Sequence, residues 1–289
     1  MMNSKSTKIT WGFTIFFIPV FFWLFLLFIL PQLELLRMSF LGTDYYGRSG
    51  FTLDNYGAFF KESAYWLTFV RTAGYSIIIT LIVLAIALPV AFYITKVIGL
   101  RAKGFLALLV IVPFWVSVLI RVYGWMIILR ESGIINHILV GIGLWQSPKE
   151  MLYTDACLIL AMVHATLLFM LLPIMGVMES LDDSLIEAAS NLGATKLVIW
   201  WKIIIPYCMT GIMSGSIIVF MLVAGSYITP SLMGGKNSLW FTQQIYNQFI
   251  IAFNWNQGAA FGFLLLLISS IIVWLSLKVT GQRLSEVVK

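Results

Sequence analysis

The sequence predicts an all-α integral membrane protein with six transmembrane helices, and three observations carry that expectation. The first is composition: 61% of the 289 residues are hydrophobic and 10% are charged, against roughly 25% charged in a soluble domain. The second is a set of six apolar runs, at about 11–30, 72–94, 105–129, 156–178, 207–228 and 259–277, each near the roughly 20 residues a helix needs to cross a bilayer. The third is the spacing of turn residues. They do not recur every ten residues or so, as a transmembrane barrel demands, and helices satisfy their own backbone in lipid. No internal repeat is visible, so the chain reads as one transmembrane domain, 1–289.

The first run follows Lys5 and Lys8 and mimics a signal peptide. It exceeds the 7–15 or so apolar residues of a signal core and ends at Pro31-Gln32-Leu33-Glu34 with no small-residue cleavage site, so it reads as a retained span. With the N-terminus inside, ten of the 18 basic residues fall on the inner side: Lys5, Lys8, Lys96, Arg101, Lys103, Lys196, Lys202, Lys278, Arg283 and Lys289. That bias puts both termini in the cytoplasm.

The outer connections differ. The first holds a turn-rich stretch, Tyr45 to Gly50, before Phe51-Thr52-Leu53-Asp54-Asn55-Tyr56. The second carries Gly133–Gly141, too short to span and expected at the interface. In the third, Phe241, Ile245, Phe249 and Ala252 share one helical face, with Gln244, Asn247 and Gln248 elsewhere. The net charge of +6 comes from basic residues scattered singly between apolar runs. They form no patch, which excludes nucleic acid as the partner. Cys157 and Cys208 fall near opposite membrane faces and show no metal or redox spacing.

One connection, about 179–206, stands apart. Asp182 or Asp183 caps a helix start, and Leu185, Ala188, Ala189 and Leu192 recur at i, i+3, i+4 and i+7 as one apolar stripe. Gly193 is the stop signal, and Pro206 suits the first turn of the next span. A helix of about ten residues is marginal alone, below the roughly 12–15 needed, so it needs a partner surface. A headgroup-resting helix is the alternative, but the acids at its start match anionic lipid poorly.

Glu187-Ala188-Ala189, three residues, Gly193, nine residues, then Ile203, Ile205 and Pro206 resembles the EAA loop of binding-protein-dependent ABC importer permeases, with Ile205 where leucine is usual. The resemblance implies a type I importer fold with a cytoplasmic coupling helix that docks on an ATPase. Glu187 and Gly193 would be the coupling residues, with Ala188 and Ala189 in the contact face flanked by Leu185 and Leu192. It also implies a bacterial inner-membrane setting, a second homologous permease, an ATPase dimer and an extracytoplasmic binding protein. This sequence has no G-x-x-x-x-G-K-[ST] loop, so ATP and Mg²⁺ belong to the separate ATPase, and no cofactor, metal or catalytic residue is expected here.

Phe51–Tyr56, Val112-Pro113-Phe114-Trp115, Leu119-Ile120-Arg121-Val122-Tyr123-Gly124, Ser180–Asp183 and Leu232-Met233-Gly234-Gly235 are similar to the spermidine/putrescine branch of these permeases. That implies polyamine cargo; opine and other small-amino-compound importers share much of the pattern. A polycation path calls for carboxylates or aromatic faces. No acid lies deep in an expected span; Glu34 and Asp155 sit near outer ends. Trp115, Tyr123, Trp125 and Tyr227 supply aromatic faces, and Arg121 is expected to pair with Asp155 or with a carboxylate of the partner permease. His164 falls mid-span, and Pro89, Pro113, Pro173 and Pro230 interrupt or border spans. An ion-driven secondary transporter calls for intramembrane acids and repeat symmetry, which the sequence lacks, and a non-transport scaffold leaves the 179–206 connection unexplained.

Overall fold

The computed structural model describes residues 17–43, 49–235 and 238–280. Lys5, Lys8, the start of the 11–30 run, most of the turn-rich 45–50 stretch, Arg283 and Lys289 lie outside the described residues. In chain order the helices are α1 (Phe17–Ser39), α2 (Asp54–Lys61), α3 (Ser63–Val97), α4 (Leu100–Ile111), α5 (Val118–Leu129), α6 (Ile134–Gly141), α7 (Asp155–Glu179), α8 (Asp183–Asn191), α9 (Lys196–Tyr207), α10 (Met209–Ala224), α11 (Ile228–Met233), α12 (Phe241–Tyr246) and α13 (Trp255–Thr280). A short antiparallel hairpin pairs β1 (Leu41–Thr43) with β2 (Ser49–Phe51), Leu41 opposite Phe51.

Four of these helices, α1, α3, α7 and α13, are long and apolar enough to cross a membrane. Two bent pairs add to them: 102–115 with 118–141, bent by 94°, and 196–207 with 209–224, bent by 69°. Six spans result if each bent pair counts as one. The helix α3 begins at Ser63, well before the expected 72, whereas α7 matches the expected 156–178 closely.

The 105–129 run is not one straight helix. Pro113 lacks an N–H and disfavours helical geometry at the preceding residue. The chain tightens into a 3₁₀ turn at Val112–Trp115 and Val116 becomes extended. Ser117 then caps α5, its hydroxyl accepting from the Ile120 N–H at 3.4 Å. Pro89 and Pro173, by contrast, lie inside helices that run on through them. At the other bend, Pro206 occupies the first turn of a three-residue helical end at Ile205–Tyr207, and the long helix starts only at Met209.

The chain divides into two compact units, residues up to Ser63 with Ile245–Leu266, and Ala64–Gln244 with the residues from Leu267 onward. In the first unit, the Phe51–Tyr56 segment builds a local fold. The Asn55 amide donates to the Ser39 and Leu41 carbonyls at 3.0 and 2.8 Å, the Tyr56 hydroxyl donates to Ser39 Oγ at 2.7 Å, and Phe40 stacks on Phe51. Phe59 meets Phe261 edge-on.

The core of the second unit joins α3, α7 and α10 through Ile79, Val83, Met170, Ile174, Val219 and Val223, all fully buried. The glycines Gly211 and Gly215 bring α10 close against α7. A β-carbon at Gly211 would stand 2.7 Å from the Pro173 carbonyl oxygen, and one at Gly215 would stand 2.8 Å from Met170 Sδ. Small residues four apart are what allow helix backbones to approach in lipid, where packing rather than water drives association. The buried hydroxyls Thr68, Thr72, Ser76 and Thr80 line one stripe of α3, each donating to the carbonyl four residues back. Thr72 Oγ1 also accepts from the Phe241 N–H at 2.8 Å.

The 240–253 stretch differs from its expected apolar face. Trp240, Phe241, Gln244 and Gln248 are buried, while Ala252 and Phe253 are exposed. Residues 241, 244 and 248 share one helical stripe, and a π-helical turn at Asn247–Ile251 shifts the register beyond it.

Candidate coupling surface and polar sites

The 179–206 connection folds as its local signals dictate. Asp182 caps α8, its carboxylate accepting from the Ser184 N–H at 2.9 Å; that hydrogen bond, with a smaller contribution from the Lys96 charge, holds its carboxyl below the ordinary range. At the other end Gly193 takes φ +80°, a left-handed conformation that suits glycine. The Ala194 N–H reaches back to the Ala189 carbonyl at 3.0 Å, and the Gly193 N–H to Ser190 at 2.9 Å, so the helix closes with its own carbonyls satisfied.

The faces of α8 divide differently from the expected stripe. Ile186 and Ala189 pack inward against the core of the second unit. Leu185, Ala188 and Leu192 face outward with Glu187, Leu192 being 88% exposed and Leu185 48%. Ala189, expected in the contact face, therefore serves the protein's own packing, because the core claims the stripe one residue round. What remains is a narrow outward stripe with one small residue between two leucines.

Three polar ties lie at the start of this helix and just before it. Lys96, its side chain 8% exposed, donates to the Leu181 carbonyl and pairs with Asp183 Oδ1 at 2.7 Å. Lys103 pairs with Glu179 at 2.9 Å. The Tyr207 hydroxyl donates to the Ser180 carbonyl at 2.9 Å. Lys96 of α3 and Tyr207 of α9 are thus fastened to residues 180–183, which open α8, and Lys103 of α4 to the last residue of α7.

At the opposite end of α7, Asp155 is fully engaged. Arg71 Nη2 and the Ser238 hydroxyl donate to Oδ1 at 2.6 and 2.7 Å, and the Tyr75 hydroxyl donates to Oδ2 at 2.6 Å. Arg71, not Arg121, is the partner of Asp155, because α3 runs beside the N-terminal end of α7. Arg121 lies elsewhere. It lines a cavity of about 550 Å³ with Thr166, Phe169, Ser226, Tyr227 and Thr229. Its guanidinium carbon stands 4.8 Å over the Phe114 ring, and its Nε and Nη1 atoms are buried without a hydrogen-bond partner.

The other aromatic candidates scatter. Trp115 is 81% exposed, and Tyr123 also faces outward. The Trp125 indole donates to His164 Nδ1 at 3.2 Å, with the rings edge to face, which makes His164 a bridge between α5 and α7. Cys157 and Cys208 are both free and buried. Among the described residues, no three His, Cys, Asp or Glu side chains are grouped to hold a metal ion.

No protein-family model matches the chain. It is 33% identical over 270 residues to the spermidine/putrescine transport system permease protein PotB of Salmonella typhimurium, spanning 92% of this chain and 93% of that one. The chain belongs to this permease family. PotB of Escherichia coli is 35% identical over 240 residues, 82% of this chain and 86% of the relative. Among solved structures, a chain of a bacterial alginate ABC transporter, determined with its pentasaccharide-bound periplasmic protein, superposes with a TM-score of 0.79 at 17% identity, over 98% of this chain and all of that one. The fold is therefore that of an ABC importer permease.

For a permease of this family the expected sites separate cleanly. Leu185, Glu187, Ala188, Leu192 and Gly193 come together on α8. Of the six pathway candidates, Arg121 and Tyr227 line one cavity together. Lys96, Lys103, Arg71, Tyr75 and Ser238 were not singled out for these roles. Their available signal was a lone polar side chain beside or inside an apolar run.

Proposed function

We propose that this permease is the membrane subunit of an ATP-driven, binding-protein-dependent importer of spermidine and putrescine in the bacterial inner membrane, with both termini in the cytoplasm. The observation that carries the coupling role is the outward stripe of α8. It is a self-capped helix, tied to the spans by Lys96, that leaves Leu185, Ala188 and Leu192 uncovered. The stripe fits a cleft on a separate ATPase dimer, which binds ATP and Mg²⁺. Closure of that dimer moves α8 as a rigid element, and the ties from Lys96, Lys103 and Tyr207 carry the motion into α3, α4 and α9, tilting the spans between alternating access states. A second homologous permease completes the pathway, and an extracytoplasmic binding protein delivers the cargo and sets most of its specificity. The polyamine assignment rests on the relatives named PotB.

The test is reconstitution of the permease with its companion subunits in proteoliposomes, followed by radiolabelled spermidine and putrescine. ATP-dependent accumulation of both, lost without the binding protein, is expected. Accumulation without ATP along an imposed ion gradient contradicts the reading. A second reading, import of an opine or other small amino compound by the same machinery, is favoured, for a carboxylated member of that class, by the two unsatisfied nitrogens of Arg121; it predicts uptake of such a compound and none of polyamines.

A further inference from the structure

Arg121 has a hydrogen-bonding need that the described residues do not meet. Two of its nitrogens are buried with no acceptor. Leaving such donors unsatisfied is costly, and the face of Phe114 beneath the guanidinium supplies no hydrogen-bond acceptor. The polar side chains on the cavity wall besides Arg121 are Thr166, Ser226, Tyr227 and Thr229, and among the described residues no carboxylate lines it. Asp155 is already held by Arg71, Tyr75 and Ser238.

The depth of the site narrows the choice of occupant. Met162, Ala165, Thr166 and Phe169 on the same wall lie in the middle of α7, 7–14 residues from its first residue. At about 1.5 Å per residue that is roughly 10–21 Å along the helix from that end, which argues against a lipid phosphate as the occupant. A polyamine carries only ammonium groups, which a guanidinium repels. We infer that the Arg121 cavity receives a carboxylate side chain of the second permease subunit, forming an intersubunit ion pair within the membrane. The unsatisfied Nε and Nη1 lie on different edges of the guanidinium, and each offers a charge-assisted hydrogen bond to a carboxylate oxygen. The inference rests on the two-permease reading above, and on its cationic cargo only for excluding the cargo as occupant.

The test is a double-mutant cycle in the complete transporter. Each Asp and Glu in the spans of the second permease is neutralised singly, alone and together with Arg121→Gln. The readouts are retention of the second permease during purification and stimulation of ATP hydrolysis by the binding protein. Arg121→Gln is expected to lower that stimulation by roughly tenfold or more. One acid is expected to reproduce the defect, with the double variant no worse than either single one. Arg121→Glu combined with that acid changed to Arg is expected to recover most of the activity, and this swap decides the matter if Arg121→Gln alone fails to assemble. Additivity at every acid, or a wild-type response from Arg121→Gln, overturns the inference. So does an Arg121-dependent requirement for phosphatidylglycerol over phosphatidylcholine vesicles, which assigns the site to lipid. A rise in KM for a carboxylated amino compound on Arg121→Gln overturns it in favour of cargo. Failure of the wild-type transporter to accumulate polyamines tells against the cargo alone, because subunit retention is read without cargo.

Discussion

The two ends of α7 are both fastened by ion pairs, and they mean different things. At the N-terminal end, Asp155 meets Arg71, Tyr75 and Ser238, so both carboxylate oxygens have partners within the chain. At the C-terminal end, Lys103 pairs with Glu179 and Lys96 ties the start of α8 through Asp183, but that helix leaves two leucines uncovered. A site whose groups are all satisfied internally is architecture. A site held by internal bonds while its outer face stays apolar is the one we propose a partner covers. Arg121 belongs with the second kind, with an unmet hydrogen-bonding need in place of uncovered apolar surface.

The largest expected effect breaks the comparison at the open end. Leu185→Asp with Leu192→Asp puts charge into the outward stripe without touching the inward face of Ile186 and Ala189. Polyamine uptake is expected to fall by roughly tenfold or more, as when a central interface contact is lost, with the permease still inserted in the membrane at normal abundance. Next is the tie. Lys96→Met leaves the Leu181 carbonyl and Asp183 without their partner, a loss of about 1–3 kcal/mol. A several-fold fall in uptake is expected, with less effect on abundance, and Lys96→Arg should recover part of it.

At the closed end the pattern reverses. Asp155→Asn removes the charge that Arg71 meets. Because the carboxylate is partly exposed, the expected cost is about 1–2 kcal/mol, read as a lower thermal midpoint in detergent with uptake changed less than stability. Gly193→Ala forces a side chain into a left-handed backbone where nothing else crowds it. A local cost of about 1 kcal/mol is expected, seen as faster amide exchange at the C-terminal end of α8 and milder for Gly193→Asn. The smallest effect is titration of the cap. The folded-state pKa of Asp182 lies below its ordinary value, so its contribution is fully present above that ordinary value and is lost as pH falls through the folded one. Amide protection at the start of α8 is therefore expected to be flat near neutrality and to weaken below about pH 4, and Asp182→Ala should abolish that dependence.

What the sequence disclosed, and what it hid, follows the range of the interactions. The caps of α8 were legible because Asp182 and Gly193 act on the helix they adjoin. Spans were legible as apolar runs, but the continuity of 105–129 concealed the break at Val116 and Ser117, where Pro113 acts through backbone geometry rather than hydropathy. The face of α8 that turns inward was not legible, since Ala188 and Ala189 are the same residue and only the core decides between them. Nor was the partner of Asp155: Arg71 is 84 residues away in sequence, and nothing local ranks it above Arg121. The Gly211 and Gly215 spacing offered a close-packing signal that a reading by hydropathy passes over.

The central claim is that α8 is where a separate ATPase takes hold. The most direct measurement compares binding of the companion ATPase to the assembled permease pair in nanodiscs, with wild-type α8 and with Leu185→Asp, Leu192→Asp. The account predicts ATPase affinity weakened by roughly tenfold or more, with the second permease retained. Equal ATPase affinity in the two preparations contradicts it.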